Sequence, residues 1–450
     1  MPTFSIENFG CRATEADASA LSSSLLASGL RLAADPNAAD VIVLNTCTVT
    51  AAADAQAREA VRKIHRANPA ARIIVTGCYA QRAPDELASI EGVEWVVGNS
   101  HLARIPGILR AHQPRAESND FILAADLATD ALSLARGPAK ILTGDIFAQS
   151  AVFMAPAALS THDRTRPILK IQDGCNNRCS YCVIPFVRGK SRSLTPDEVV
   201  REVRALCEAG AKEIVLSGIN LGSYGRDFVP RATLAEIIRR ILDETALDQL
   251  RFSSIEPQDV TEDFVALVAS SPRVARHFHI PLQSGSDAIL RAMHRWYRTA
   301  HYAERLHRIR GMLPDAAIGA DVIVGFPGET DAQFRETFEF IERLPFTYLH
   351  VFSFSERPGT AAAALGERVP VNAIRERARS LRDLSQQKAA EFRATQAGRR
   401  ARALTLARGD DTQTEALTGN YLKVQIAGRH PANEWHEVSL DSVRCVTPKS

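Results

Sequence analysis

Asp173-Gly174-Cys175-Asn176-Asn177-Arg178-Cys179-Ser180-Tyr181-Cys182 carries three cysteines at a C-x3-C-x2-C spacing, directly after the apolar run Ile168-Leu169-Lys170-Ile171. Thiolates this close in sequence can close around one soft metal centre. Three of them on a four-iron cluster leave one iron without a protein ligand. An open position is what metal chemistry needs, whereas a structural zinc site is closed by a fourth ligand. Zinc is the competing reading, but no His or Cys near this loop stands at a familiar finger spacing. The remaining reading, three unrelated packing cysteines, is rare for so tight a cluster.

The chain has 450 residues, 45% hydrophobic and 24% charged, the ordinary balance of a water-soluble protein of two or three domains. The formal net charge is +2, so no global field points to nucleic acid. Only 8 of the 54 basic residues are lysine. Arginine suits bidentate phosphate contacts, although a GC-rich coding sequence accounts for the bias equally well. Eight cysteines in a chain this long do not read as a disulfide framework. Met1-Pro2-Thr3-Phe4-Ser5-Ile6 has neither a basic start nor an apolar core of a leader. No apolar run approaches the roughly 18–20 residues of a membrane span. A reducing, cytoplasmic setting is expected, with no membrane partner.

Residues 3–110 alternate strand and helix. Strands are expected at Thr3–Glu7, Asp40–Leu44 and Arg72–Thr76, and helices at Glu15–Ser28 and Ala51–Ala67. That alternation predicts a parallel sheet. Cys11, Cys47 and Cys78 each follow one of these strands, in Phe9-Gly10-Cys11, Asn45-Thr46-Cys47 and Thr76-Gly77-Cys78. Loops beyond the C-terminal ends of parallel strands converge on one crevice. Three loops with one thiol each can therefore meet at a second metal centre. The alternative is that they are small buried residues, as free cysteines often are. Cys207 and Cys445 have no motif around them and read as packing residues. Residues 112–166 read as a connector.

From Pro167 the alternation resumes, with strands expected at Ile168–Gln172, Glu213–Ser217, Leu250–Ile255, His277–Ile280, Ala317–Val324 and Thr347–Val351. Helices are expected at Pro196–Ala209, Leu234–Glu244, Thr261–Ala269, Asp287–Leu313 with a break, and Asp331–Arg343. Six βα units are fewer than the eight of a closed barrel. Three strand ends carry motif-like strings: Leu216-Ser217-Gly218-Ile219-Asn220, Pro281-Leu282-Gln283-Ser284-Gly285-Ser286, and Asp321-Val322-Ile323-Val324-Gly325-Phe326-Pro327-Gly328-Glu329-Thr330. A helix opening with small residues can receive a carboxylate or ribose, and glycines permit close backbone approach. Turn chemistry alone is the alternative for each. His277 and His279 alternate within a strand and point the same way, a possible ligand pair but more simply core histidines. Asn372–Ala397 reads as a long helix. Five short strands then follow, at Ala401–Ala407, Thr414–Leu417, Tyr421–Ile426, Glu434–Ser439 and Ser442–Val446, as in a small β-barrel.

The cysteine loop resembles that of the radical S-adenosylmethionine (SAM) enzymes. Its flanks, Gln172-Asp173-Gly174-Cys175-Asn176 and Ile184-Pro185-Phe186-Val187-Arg188-Gly189, resemble the methylthiotransferase branch. The resemblance implies an α/β chain of three domains: residues 1–135 with an auxiliary cluster, a partial (β/α)6 barrel over 160–390, and a TRAM-like RNA-binding β-barrel over 391–450, with Gly419-Asn420-Tyr421-Leu422-Lys423-Val424 resembling the TRAM signature. It implies that Cys175, Cys179 and Cys182 hold a catalytic [4Fe-4S] cluster whose open iron binds SAM. Tyr181, Gly218, Gln283, Ser284, Ser286 and Gly325 are the residues it points to around SAM. Gly218 stands in a string that departs from the Gly-Gly-Glu of many relatives. Cys11, Cys47 and Cys78 are implied as ligands of a second [4Fe-4S] cluster that presents the sulfur.

The implied reaction uses two SAM molecules per turnover, one as radical source and one as methyl donor. It places sulfur and a methyl group at C2 of adenine 37 in the tRNA anticodon loop, with a reductant such as flavodoxin or ferredoxin and a sulfur donor as partners. Asn45-Thr46-Cys47-Thr48-Val49-Thr50 and Gly189-Lys190-Ser191-Arg192-Ser193 look most like the branch acting on N6-threonylcarbamoyladenosine. N6-isopentenyladenosine, or an aspartate of a ribosomal protein, is the alternative substrate. A reading of a different class is a non-catalytic metal-binding, RNA-binding protein. Two three-cysteine sites, each one ligand short, argue against that.

Overall fold

A computed structural model of the chain describes residues 1–111, 139–154 and 165–440. Most of the expected connector, the last expected strand and Cys445 lie outside them. The chain divides into two compact units. The first is Met1–Ala157 with Asp173–Asn177 and Cys182–Arg192; the second is Ala158–Gln172, Arg178–Tyr181 and Ser193–Ser450.

The first unit is built on β1 (Thr3–Phe9), α1 (Arg12–Ala27), β2 (Arg31–Leu32), β3 (Val41–Thr46), α2 (Ala51–Ala67), β4 (Arg72–Gly77), α3 (Cys78–Arg82), α4 (Pro84–Ala88), β5 (Val93–Gly98), α5 (Ile105–Ala111) and β6 (Lys140–Leu142). Its strands form one parallel sheet in the order β2-β1-β3-β4-β5-β6. Side chains of a strand alternate between faces, and here both faces are covered. Ile42 and Leu44 join a core with Ala57, Val61 and Ile64 of α2, while Val41 and Val43 join another with Leu21 and Leu25 of α1. Burial on both sides explains why β3 reads as an unbroken apolar run. Its expected end at Leu44 moves to Thr46, because Asn45 and Thr46 bridge to neighbours. Asn45 Nδ2 donates to the Thr14 carbonyl (2.6 Å) and Thr46 Oγ1 to the Thr76 carbonyl (2.5 Å). A further element of this unit is α6 (Ile184–Arg188).

The second unit begins with β7 (Ile168–Asp173), whose last residue counts with the first unit, and α7 (Pro196–Glu208); β8 (Arg192–Ser193) is divided between the two. Then come β9 (Glu213–Gly218), α8 (Leu234–Glu244), β10 (Gln249–Phe252), α9 (Glu262–Ser270), β11 (His277–His279), α10 (Asp287–Ala292), α11 (Thr299–Met312), β12 (Ala317–Val324), α12 (Asp331–Arg343), β13 (Tyr348–Ser353) and α13 (Val371–Gln396). Capping boxes start α7, α8 and α12, where Thr195 with Glu198, Thr233 with Glu236 and Thr330 with Gln333 satisfy the first amides.

The long strands β7, β9 and β10 pair in parallel, as do β11, β12 and β13. The two sets are joined where the Ala275 amide donates to the Leu250 carbonyl (2.8 Å) and the Ile255 amide to the His279 carbonyl (2.9 Å). Among the described residues β13 has only β12 as a neighbour, so the six-stranded wall stays open. This is the half-open barrel expected from six βα units. Phe252, Phe264 and Phe278 pack edge to face between wall and helices. The expected break in Asp287–Leu313 falls between α10 and α11, at His294, whose φ is 56°.

The tail forms an antiparallel sheet of β14 (Arg400–Gly409), β15 (Gln413–Thr418), β16 (Lys423–Ala427) and β17 (Trp435–Ser439), ordered β16-β15-β14-β17. It sits on the barrel through Arg251 of β10, which is fully buried. Arg251 pairs with Glu213 at 2.8 Å and 3.1 Å and donates to the Thr418 (3.1 Å) and Gly419 (3.2 Å) carbonyls. Tyr421 stacks on His277 with ring centroids 4.1 Å apart.

Candidate active site

The parallel register brings the thiols of the first unit together. Phe9 lies opposite Thr46, and Thr46 opposite Gly77. Cys11, Cys47 and Cys78 follow these residues, so they leave the sheet at one level of its C-terminal edge. Gly77, at φ 97°, turns the chain where any side chain would run into Thr46 and Asn45. Cys47 and Cys78 are buried, and Cys11 is exposed at the N-cap of α1. Burial pushes the Cys47 thiol up to about 12, helped by the neighbouring sulfurs of Cys78 and Cys11. Burial also raises Cys78, with the charge of Arg188 working against it.

These sulfurs already have donors. The Val49 amide reaches Cys47 Sγ at 3.5 Å, and Asn99 Nδ2 (3.5 Å) and Arg188 Nε (3.3 Å) reach Cys78 Sγ. Arg188, 2% exposed, also donates to Asp17 at 2.8 Å and to Asp173 at 3.2 Å and 3.3 Å. Arg192 adds a bond to Asp173 at 3.2 Å. The arrangement gathers three soft donors, one cation and directed N–H groups, the chemistry of an anionic metal–sulfur centre.

In the cysteine loop, Cys175 and Cys182 belong to the first unit and Cys179 to the second, and all three are partly exposed. The Cys175 amide donates to the Gly189 carbonyl at 3.1 Å, and Ser191 N to Asn176 Oδ1 at 3.0 Å. Within the second unit Arg295, 5% exposed, donates to Cys179 Sγ at 3.2 Å and to Tyr297, and forms a short ion pair with Glu256. Burial nonetheless raises the Glu256 carboxyl.

The other expected site residues lie at the C-terminal ends of the barrel strands or in the cysteine loop. Tyr181 packs against Ile289, Met293, Phe326 and Ala362. Ser284 is buried and bonded to Thr337 (3.2 Å). Ser286 N-caps α10 without capping it through its side chain, and its buried hydroxyl has no partner. The hydroxyls of Ser217 and Ser253, at the ends of β9 and β10, are likewise buried without partners. Gln283 holds a left-handed backbone, φ 66°, bridged to Val322; such strain is characteristic of functional sites. Three partnerless hydroxyls, two at the ends of the paired strands β9 and β10 and one at the start of α10, fit a polar ligand such as SAM.

Two of the expected residues have structural reasons. A Cβ on Gly218 would press on Gln172, whose Oε1 accepts from the Asn220 amide (2.8 Å). Gly325, φ 77°, donates its amide to Glu329 Oε2 (2.8 Å), an oxygen that also takes Arg377 (2.7 Å). His277 and His279 do not form a ligand pair. His277 Nε2 meets Tyr348 Oη (2.8 Å), while His279 Nδ1 meets Ser254 Oγ (2.7 Å) and its Nε2 lies 3.3 Å from Asp321. His350 Nδ1 lies 3.3 Å from the same Asp321 oxygen. Burial opposes ionisation of Asp321, but the two histidines hold it well below the usual carboxylate range. Arg188, Arg295, Ser253 and the His279–Asp321–His350 group were not anticipated. Asp321, a lone carboxylate in an apolar strand, was the signal available.

The chain matches the radical SAM superfamily over residues 169–341 and an uncharacterized protein family, UPF0004, over residues 3–98. It is 36% identical to the threonylcarbamoyladenosine tRNA methylthiotransferase MtaB of Aquifex aeolicus, over 94% of this chain and 96% of that protein. The MtaB of Bacillus subtilis is also 36% identical, over 95% and 91%. The tRNA-2-methylthio-N(6)-dimethylallyladenosine synthase of Thermobifida fusca is 35% identical, over 89% and 77%. Among solved structures, the radical S-adenosylmethionine methyltransferase TsrM from Kitasatospora setae with cobalamin and [4Fe-4S] cluster bound superposes with a TM-score of 0.54 at 16% identity, covering 80% of this chain and 77% of that one, a likeness of fold alone. With both family domains present and relatives aligned from end to end, the chain belongs to the radical SAM methylthiotransferase family, in its MtaB branch.

Proposed function

We propose that this protein methylthiolates C2 of N6-threonylcarbamoyladenosine at position 37 of tRNA. The observation that carries the reading is near full-length likeness to MtaB proteins, which span 96% and 91% of their own length in the alignment. The dimethylallyladenosine synthases, nearly as similar, make N6-dimethylallyladenosine the second reading.

In this reading Cys175, Cys179 and Cys182 hold one [4Fe-4S] cluster, Cys11, Cys47 and Cys78 hold another, and the strand ends at Ser217 and Ser253 with the start of α10 at Ser286 hold SAM. When bound, these groups supply one-electron chemistry at an unactivated C–H bond and the sulfur and methyl group of the product. The chain's own residues do the rest. Arg188 aims an N–H at Cys78 Sγ of one set and Arg295 aims one at Cys179 Sγ of the other. Asp17 with Asp173, and Glu256, fix those guanidiniums. Tyr181 offers a ring beside the apolar surface of Met293 and Phe326. The tail sheet is read as a TRAM-like RNA-binding module, and the domain limits as 1–135, 160–390 and 391–450. A flavodoxin- or ferredoxin-type reductant and a sulfur donor complete the cycle in a reducing cytoplasm. Among the described residues no helix is long and apolar enough to cross a membrane.

The test is mass spectrometry of digested tRNA from cells lacking the protein. Threonylcarbamoyladenosine is expected to persist while its methylthio form disappears. An unchanged methylthio nucleoside refutes the reading.

A further inference from the structure

The open edge of the barrel ends in β13, where Tyr348, His350 and Phe352 fall on one face by the two-residue period of a strand. Phe352 is 44% exposed and the His350 side chain 55%, large values for rings on a barrel wall. Behind His350, in register on β12, lies Asp321. One Asp321 oxygen lies 3.3 Å from His350 Nδ1 and 3.3 Å from Nε2 of buried His279. Ser254 fixes the far nitrogen of His279 at 2.7 Å. The Tyr348 ring lies 6.0 Å from His279 and 5.2 Å from His350. Further in, the Asp321 charge is felt by Glu256, the ion-pair partner of the arginine that reaches Cys179. The exposed edge of the barrel thus carries a connected polar cluster of Ser254, His279, Asp321 and His350.

Resting on the function proposed above, we propose that His350, oriented by Asp321 and His279, reads the polar substituent on N6 of the target adenine, with Phe352 as the adjoining stacking surface. The two substituents in question differ in kind. Threonylcarbamoyl carries ureido N–H groups, a hydroxyl and a carboxylate; dimethylallyl carries no polar atom. With Nδ1 facing Asp321, His350 leaves Nε2 as the ring nitrogen that can meet a polar atom of the substituent. A group so fixed stays unpaired against an apolar substituent, and an unpaired polar group is how a site rejects an analogue. Aromatic rings at such an edge stack on any base, so Phe352 adds affinity and His350 the choice.

The experiment uses the reconstituted full-length protein, as wild type, His350→Phe and His350→Gln. It measures kcat/KM on tRNA bearing either N6-threonylcarbamoyladenosine or N6-dimethylallyladenosine at position 37. It also measures Kd, by fluorescence anisotropy, for anticodon stem-loops bearing threonylcarbamoyladenosine or plain adenosine. Wild type failing on threonylcarbamoyladenosine tRNA would sink the proposed function before any variant is examined. With that activity in hand, His350→Phe should shrink the preference between substrates about 10- to 100-fold, and the difference in Kd between the two stem-loops should shrink with it. His350→Gln, which keeps a polar end, should restore most of it. Equal losses on both substrates, or an unchanged Kd difference, overturn the proposal. So does a stoichiometric divalent metal in wild type that His350→Phe releases, since the same three side chains offer ligand atoms within 4.8 Å of one another.

Discussion

Arg188→Met keeps the apolar stem of a side chain that is 2% exposed and deletes its guanidinium. Asp17 (2.8 Å) then loses this guanidinium, while Asp173 loses one of two and keeps Arg192 at 3.2 Å. Removing one partner of a buried pair costs about 3–5 kcal/mol, because the remaining charge keeps its desolvation penalty. Asp173 keeps Arg192, so the lower part of that range applies. Whole-domain stability is about 5–15 kcal/mol, so the loss is a large fraction of it. The assay is native-state hydrogen exchange of the β3 and β4 amides in anaerobic, metal-free protein, which reads the first unit without assuming two-state unfolding of the chain. Asp17→Asn alone should cost less, since it leaves no extra charge stranded. In the double variant the costs should fall short of their sum by about 1–3 kcal/mol. A loss under about 1 kcal/mol for Arg188→Met, or strictly additive costs, would refute the reasoning.

Anaerobic reconstitution of Cys11/Cys47/Cys78→Ala and of Cys175/Cys179/Cys182→Ala should each retain about half the wild-type iron and acid-labile sulfide. A first variant with full wild-type iron would remove the second cluster. Glu213 gives a pH prediction. Burial raises its pKa, but Arg251 and Arg166 outweigh that and bring it below its ordinary 4.5. Its folded value is therefore the lower one, so its stabilisation is complete above pH 4.5 and lost as pH falls through the folded value. Glu213→Gln should cost about 3 kcal/mol at pH 7 and flatten the acid limb of a stability–pH curve, and an unchanged limb would count against the pairing.

What could be read from the chain depended on how local each signal was. The six barrel strands and the three thiol-bearing strands announce themselves through runs such as Val41-Ile42-Val43-Leu44, because burial on both faces demands apolar residues throughout. Helix starts are local too: the capping boxes of Thr195 with Glu198 and of Thr330 with Gln333 each lie within four residues. β5, a run with Val96 and Val97, went unassigned beside the helix-like spacing around it. The charged part of the site was not legible at all. Arg188 meets Asp17 across 171 residues and Arg295 meets Cys179 across 116, and no local pattern announces such pairs. The three partnerless hydroxyls look like any serine in a turn until the fold leaves them buried.

Arg251 spends two of its hydrogen bonds on tail carbonyls, at Thr418 and Gly419, and a tail ring, Tyr421, covers His277. Cutting the chain after α13 therefore opens the buried Glu213–Arg251 pair to solvent and strips a ring from a barrel strand. A shortened protein that loses activity would report damage to the barrel as readily as loss of a grip on RNA. The tail is in this sense a part of the barrel's wall that happens to come last in the chain. Its contribution to substrate binding is separable only by changing its outward side chains, such as Arg400 or Arg408, with the anchor left whole.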